Sequence, residues 1–268
     1  MISGTGTLWI VGCGNMGGAL LRRWLATGLD PARVTVIDPA PRSIADVSWR
    51  ASPPPGSPDM LLLSVKPQII DQAAAAYVQA VTDKTVIIST LAGVECADLA
   101  ARFPHAKAVV RTMPNLPVAI GKGVTGLFSA DGSAEVRSAV EALFASTGHA
   151  EWLAEEDQFH AVIAVSGSGP AFVYRFIAAL ADGGAALGLP ADQALRLARA
   201  TVEGAAALST ASGQDPSELA RQVTSPNGTT AAGLATLDEG GQFAARIAAT
   251  QAATAKRSQT LAAAAKIS

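Results

Sequence analysis

The chain is short of charge, aromatic rings and cysteine. Charged residues fill 16% of its 268 positions and the formal net charge is −2, so no polyanion is attracted by bulk charge. No run of Lys and Arg is interleaved with aromatics, so nothing supports a nucleic-acid partner. Cys13 and Cys96 have no metal-type spacing; no metal is expected, and a reduced, cytoplasmic setting is the simplest account of two cysteines. No stretch of 18 or more continuously apolar residues occurs, so no membrane span is expected. Residues 1–21 carry no charged side chain, but a basic leader is missing and glycines interrupt the apolar run. They read as a short tail and a first strand rather than a signal peptide.

What the chain has is apolar content, 49% of it, and 25 glycines. That length and composition suit a compact chain of one large or two small domains with a real core. The most informative stretch is Leu8–Gly17, where four apolar residues run into Gly12-Cys13-Gly14-Asn15-Met16-Gly17 and an apolar helical pattern follows. Strand, tight turn and helix in that order form a dinucleotide cradle. Gly12 makes the turn, Gly14 lets the backbone approach a pyrophosphate, and Gly17 lets helix and strand pack. The unpaired N–H groups and the dipole at the helix start favour the phosphates. A second apolar strand, Val34–Ile37, ends in Asp38, 21 residues after Gly17, where a carboxylate can accept from ribose hydroxyls.

Further apolar runs at 47–51, 60–65, 86–89, 108–111 and 124–128 alternate with helical patterns at 68–81, 95–103 and 134–146, and the region of Trp152 offers one more strand. The pattern implies an α/β fold, an open doubly wound (Rossmann-type) sheet over residues 1–156. Ser52–Pro58 holds four prolines and must be an extended link. Ser64-Val65-Lys66-Pro67-Gln68 and Arg111–Pro117 fall where strands should end near the cofactor. Lys66 there suits a phosphate or an anionic substrate, and Asn115 sits in a loop fixed by Pro114 and Pro117.

From residue 157 onward the pattern is helical, and 31 of the 108 residues from Ala161 to Ser268 are alanine. Such helices approach closely but bury little area each. A second all-α domain, 157–268, whose helices are covered by a second subunit, is therefore expected. Two helix starts in it, at Ser166-Gly-Ser-Gly-Pro170 and at Thr224-Ser-Pro-Asn-Gly-Thr-Thr230, present N–H groups and hydroxyls suited to a small carboxylate.

Taken together, G-C-G-N-M-G from Gly12, S-V-K-P-Q from Ser64, R-T-M-P-N-L-P from Arg111, S-G-S-G-P-A-F from Ser166 and V-T-S-P-N-G-T-T-A-A-G-L from Val223 resemble the Δ1-pyrroline-5-carboxylate reductases, as does Lys256-Arg-Ser258. The stretches come in that family's order along nearly the whole chain. The resemblance implies a dinucleotide-binding domain with a helical dimerisation domain, a homodimer that assembles into larger rings in many members, and hydride transfer from NADPH or NADH to a cyclic imine carboxylate. By motif position it places Gly12–Gly17, Asp38, Arg42, Ser64, Val65, Lys66, Pro67, Met113, Pro114 and Asn115 around the cofactor. It places Ser168, Gly169, Pro170, Pro226, Asn227, Gly228 and Thr229 around the substrate, with Ser225 and Thr230 as catalytic residues. The backbone amides from Ser225 to Thr230 would wrap the carboxylate, and Thr230 would bond the ring nitrogen and supply its proton.

This sequence departs from the family at Asn227, usually glycine, at His160, often aspartate, and at the proline-rich link. After the second strand, Asp38-Pro-Ala-Pro-Arg42 leaves the cofactor open: Asp38 repels a 2′-phosphate, whereas Arg42 can bind one. A β-hydroxyacid dehydrogenase would need a lysine early in the helical half, and none occurs from 123 to 255. A ketol-acid reductoisomerase would need clustered carboxylates for Mg²⁺; Glu151, Glu155, Glu156 and Asp157 instead read as a solvated helix start. A non-catalytic dinucleotide sensor would have no use for two anion-holding helix starts.

Overall fold

The computed structural model describes residues 6–40, 44 and 46–265. Among them eight strands form one sheet: β1 Leu8–Val11, β2 Val34–Ile37, β3 Ser48–Arg50, β4 Met60–Leu63, β5 Val86–Ser89, β6 Ala108–Pro114, β7 Gly123–Phe128 and β8 Gly148–Trp152. Their order is β3-β2-β1-β4-β5-β6-β7-β8. Strand order therefore reverses between β1 and β4, which opens a crevice at their carboxyl ends, where such sheets bind ligands.

The first six strands are parallel, with Leu8 beside Val34 on one side and Met60 on the other. β7 runs antiparallel to β6, with Met113 opposite Gly126, and β8 follows β7 in parallel. The one antiparallel step among the described strands has a local cause. Residues 115–122 hold only a short 3₁₀ turn that ends in Gly121 at φ 71°, too short for a crossover of about a dozen residues. The same pairing extends β6 through Pro114, so the stretch from Arg111 is strand for half its length rather than loop.

Helices cover both faces. On one, α1 (Asn15–Ala26) and α4 (Ala134–Phe144) bury Leu20, Leu21, Trp24, Val140 and Phe144, the Trp24 and Phe144 rings meeting edge to face at 5.9 Å. On the other, α2 (Ile70–Tyr77) and α3 (Cys96–Arg102) bury Ile70, Tyr77 and Leu99, joined by Phe103. Each fully buried Leu or Phe contributes about 2 kcal/mol. The proline-rich link after β3 contains no helix.

Then come α5 (Phe159–Val162), a wide turn at Ile163–Gly167, α6 (Gly169–Ala186), α7 (Ala191–Ser212), α8 (Pro216–Gln222), α9 (Thr229–Leu237) and α10 (Gln242–Ala265). The chain divides into two compact units: one takes in the sheet, residues up to Ser168 and those from Ala253 onward, and the other is Gly169–Ala252. In the second unit α6 and α7 pack as a pair. Its buried apolar residues are the alanines Ala181, Ala194 and Ala198, while Val173, Tyr174, Phe176, Leu187, Leu197 and Leu208 are exposed. Among the described residues one stretch, Glu156–Ala186, is long and apolar enough to cross a membrane by length and composition.

Candidate active site

In the first unit the glycine turn lies at the carboxyl ends of β1 and β4, against Ser64. Gly12 has φ +86°, and a Cβ there would lie 2.6 Å from the Ser64 carbonyl oxygen. A Cβ on Gly17 would lie 2.5 Å from the Gly12 oxygen, whereas one on Gly14 would meet none of the described residues within 4 Å. Gly12 and Gly17 are therefore small because protein fills the space, and Gly14 is small beside space open among the described residues. Helix α1 starts at Asn15 without a side-chain cap and without an acidic residue in its first turn. Its first N–H groups, among them those of Asn15 and Met16, have no helical partner and suit phosphate oxygens. An open cradle of this shape fits a dinucleotide.

The strand ends around the turn hold their side chains in place. The Gly12 N–H donates to the Ile37 carbonyl and the Ser64 N–H to the Val11 carbonyl, at 3.0 and 2.8 Å. The Thr90 hydroxyl donates to Ser64 Oγ at 3.2 Å. Asp38 is anchored by the Cys13 N–H on Oδ2 at 2.8 Å and the Ala40 N–H on Oδ1 at 2.9 Å, while Trp49 Nε1 donates to its carbonyl. A carboxylate thus stands against the glycine turn itself. Burial of Tyr77, helped by the Asp38 charge, raises its hydroxyl to about 12. Val65 lies against Gly12. Lys66 is exposed and precedes the short turn that begins at Pro67. Arg42 lies outside the described residues.

Farther along the sheet, Met113, Pro114 and Asn115 are all buried at the end of β6. The Asn115 amide bonds backbone at both ends: Oδ1 accepts from the Val124 N–H at 2.8 Å and Nδ2 donates to the Ser166 carbonyl at 2.9 Å.

The stretch Ser166–Pro170, expected to be a helix start, instead follows helical backbone directly. A helical turn of i→i−5 type precedes Gly169, with the Ser168 N–H donating to the Ile163 carbonyl at 2.8 Å. The Ser166 hydroxyl donates back to the Val162 carbonyl and so caps nothing. Wide turns of this kind are rare and gather at functional sites.

In the second unit, Ser225-Pro226-Asn227-Gly228 is a tight turn closed by the Gly228 N–H on the Ser225 carbonyl at 3.0 Å. Asn227 has φ +59°, the conformation that position of a type II turn requires and that asparagine tolerates. A Cβ on Gly228 would run into Ser225 Oγ. α9 then starts at Thr229, again without a side-chain cap, so the Thr229 and Thr230 amides lack helical partners. The expectation that every amide from Ser225 to Thr230 wraps an anion is narrowed: Pro226 has no N–H, and that of Gly228 closes the turn.

Sequence reasoning missed one group. Glu156 is only 22% exposed, and its Oε1 accepts from Arg111 Nη1 at 2.9 Å and from the Cys96 N–H at 2.8 Å. Glu155 and Asp157 are exposed at the helix start as expected, and Glu151 is exposed within β8, so the reading is corrected at Glu156 alone. The signal was available in Arg111, a charge inside the apolar run Ala108–Met113, which required a buried partner. Burial, helped by the Glu156 charge, pushes the Cys96 thiol up to about 12.

Comparison with known proteins places these features in a family. Residues 156–261 match the description "Pyrroline-5-carboxylate reductase dimerisation", and residues 7–93 match "NADP oxidoreductase coenzyme F420-dependent". The pyrroline-5-carboxylate reductase of Pseudomonas aeruginosa is 36% identical over 94% of this chain and 95% of its own. A solved pyrroline-5-carboxylate reductase from Coxiella burnetii is 28% identical and superposes with a TM-score of 0.86 over 96% of this chain and 99% of that one. The Plasmodium falciparum pyrroline carboxylate reductase, solved with NADP bound, shares the fold with a TM-score of 0.83 at 24% identity, over 96% of this chain and 98% of its own. With a glycine cradle at the sheet's switch point, an uncapped helix start at Thr229 and relatives alike along nearly all its length, the chain belongs to the pyrroline-5-carboxylate reductase family.

Proposed function

We propose that the protein reduces Δ1-pyrroline-5-carboxylate to L-proline with NADPH or NADH, residues 1–156 binding the dinucleotide and residues 157–268 the substrate. The observation that carries this reading is the glycine turn: among the described residues, space is filled at Gly12 and Gly17 and open at Gly14. Gly12, Cys13, Gly14, Asn15, Met16 and Gly17 would hold the pyrophosphate, Asp38 the adenosine side, and Ser64 to Pro67 with Met113 and Pro114 the nicotinamide side. When bound, the nicotinamide supplies a hydride. The protein's own task is to bind the imine, exclude water and place a proton, since a protonated C=N accepts hydride readily.

The Thr229 and Thr230 amides would hold the substrate carboxylate at the positive end of α9. Ser168, Gly169 and Pro170 would line the substrate, and the Thr230 hydroxyl would deliver a proton to the ring nitrogen as the adjacent carbon becomes sp³. Ser225, beside Gly228, would support that turn.

The exposed apolar residues of α6 and α7, in a region matched by a dimerisation family, support a homodimer in which a second copy covers them. Assembly of dimers into a ring and a cytoplasmic location without membrane insertion complete the proposal. Steady-state kinetics with the cyclic imine and each reduced cofactor tests the reading. Cofactor oxidation that depends on the imine and matches proline formation is expected; its absence with both cofactors would overturn it.

A further inference from the structure

Pro170 creates a local problem that Asn115 solves. A proline has no N–H, so Pro170 cannot donate to the carbonyl four residues back, that of Ser166, and its ring crowds the same oxygen. The chain widens at that point into the i→i−5 turn at Ile163–Gly167. Ser166 is partly buried and its carbonyl receives Asn115 Nδ2 at 2.9 Å.

Asn115 is itself fixed. Oδ1 accepts from the Val124 N–H at 2.8 Å, the Asn115 N–H donates to the Val124 carbonyl at 3.1 Å, and the residue is 7% exposed. Turning the amide over would set oxygen against the Ser166 oxygen and NH₂ against the Val124 N–H. The orientation is therefore decided by its neighbours. A carboxylate of the same shape cannot replace it, because it offers no donor.

From this geometry we infer that Asn115 is a positioning residue for the substrate side, holding the wide turn that delivers Ser168 and Gly169, rather than a ligand of the cofactor. The inference rests on the assignment of Ser168 and Gly169 to the substrate, and one of its tests does not.

The experiment uses the full-length protein with Asn115→Asp, Asn115→Ala, Pro170→Ala and the two double variants. The readouts are unfolding midpoint, reduced-cofactor affinity by fluorescence titration, and KM and kcat for the cyclic imine. Asn115→Asp and Asn115→Ala are expected to lower kcat/KM for the imine at least tenfold, mainly through KM, while the cofactor Kd stays within twofold. Restoring an N–H at position 170 supplies the Ser166 carbonyl with a donor. Adding Pro170→Ala should therefore recover most of the stability lost in either single variant. A cofactor Kd that weakens as much as kcat/KM falls overturns the inference, and so do strictly additive midpoint losses at 115 and 170. If Asn115→Asp does not fold, recovery of folding in Asn115→Asp/Pro170→Ala supports the inference and failure of both overturns it. If the wild-type protein does not reduce the imine, the proposed function fails, and the 115–170 coupling in unfolding midpoint still decides whether Asn115 holds the turn.

Discussion

The guanidinium of Arg111 lies 2.9 Å from the carboxylate of Glu156 and 4.4 Å from the centre of the Phe159 ring. Arg111 is 3% exposed, and its Nε has no partner among the described residues. Removing Glu156 leaves a buried cation and an orphaned Cys96 N–H. Glu156→Ala should cost about 3 kcal/mol of unfolding free energy, and Arg111→Met, which withdraws the buried charge itself, distinctly less. Urea denaturation of the two variants checks the order; equal losses would show that the charge is not the source.

The glycine turn separates packing from ligand approach. Gly14→Ala adds a Cβ where none of the described residues lies within 4 Å, so its unfolding midpoint should stay within a few degrees of wild type. Its dinucleotide affinity should fall at least about tenfold, near 1.4 kcal/mol. Gly17→Ala meets the Gly12 oxygen at 2.5 Å and should lose both. Differential scanning fluorimetry with and without NADH reads both quantities.

Asp38 stands where an added 2′-phosphate would meet a fixed negative charge, pinned by the Cys13 and Ala40 amides. Asp38→Ser should shift the ratio of NADPH to NADH affinity toward NADPH by about tenfold. Calorimetric titration of both nucleotides measures it, and an unchanged ratio would remove Asp38 from the specificity of the site.

Thr230→Ala should lower kcat by about a hundredfold, within the range for a lost proton donor, and leave cofactor Kd nearly unchanged. Its hydroxyl sits in the first turn of α9, which no side chain caps. Parallel loss of turnover and cofactor affinity would argue against proton transfer.

Alkali should destabilise the fold through two groups. In the folded protein the Cys96 thiol is raised from 9.0 to about 12 and the Tyr77 hydroxyl from 10.0 to about 12, chiefly by burial. The unfolded chain releases these protons first. The stabilisation is complete below about pH 9 and is lost as pH climbs toward 12. Urea midpoints at pH 8 and pH 11 should show the drop, and Cys96→Ala should show a smaller one.

The glycine turn, the strands up to β6 and the α9 start were legible in the sequence because each is a local code: apolar runs, glycine sterics and the proline–asparagine turn act within a few residues. The reversal at β7 was not, since it depends on how few residues join it to β6. The Glu156–Arg111 pair and the Asn115–Ser166 bond join positions 45 and 51 residues apart, and no periodicity reports such a distance. Pro170 was visible as a helix-start residue, but its effect on the carbonyl of Ser166 depends on the helical turn before it.

Helix α10 carries the end of the chain back to the sheet unit. The Ser258 hydroxyl lies 2.9 Å from His160 Nδ1, and the backbone of Ala262 lies so near Gly93 that a Cβ on that glycine would come within 3.2 Å of it. A nascent chain that has emerged only as far as Ser168 therefore still lacks the piece that covers Gly93 and meets His160. Since synthesis proceeds at about 5–20 residues per second, the sheet unit must wait several seconds on the ribosome, part-finished, for the last helix to arrive.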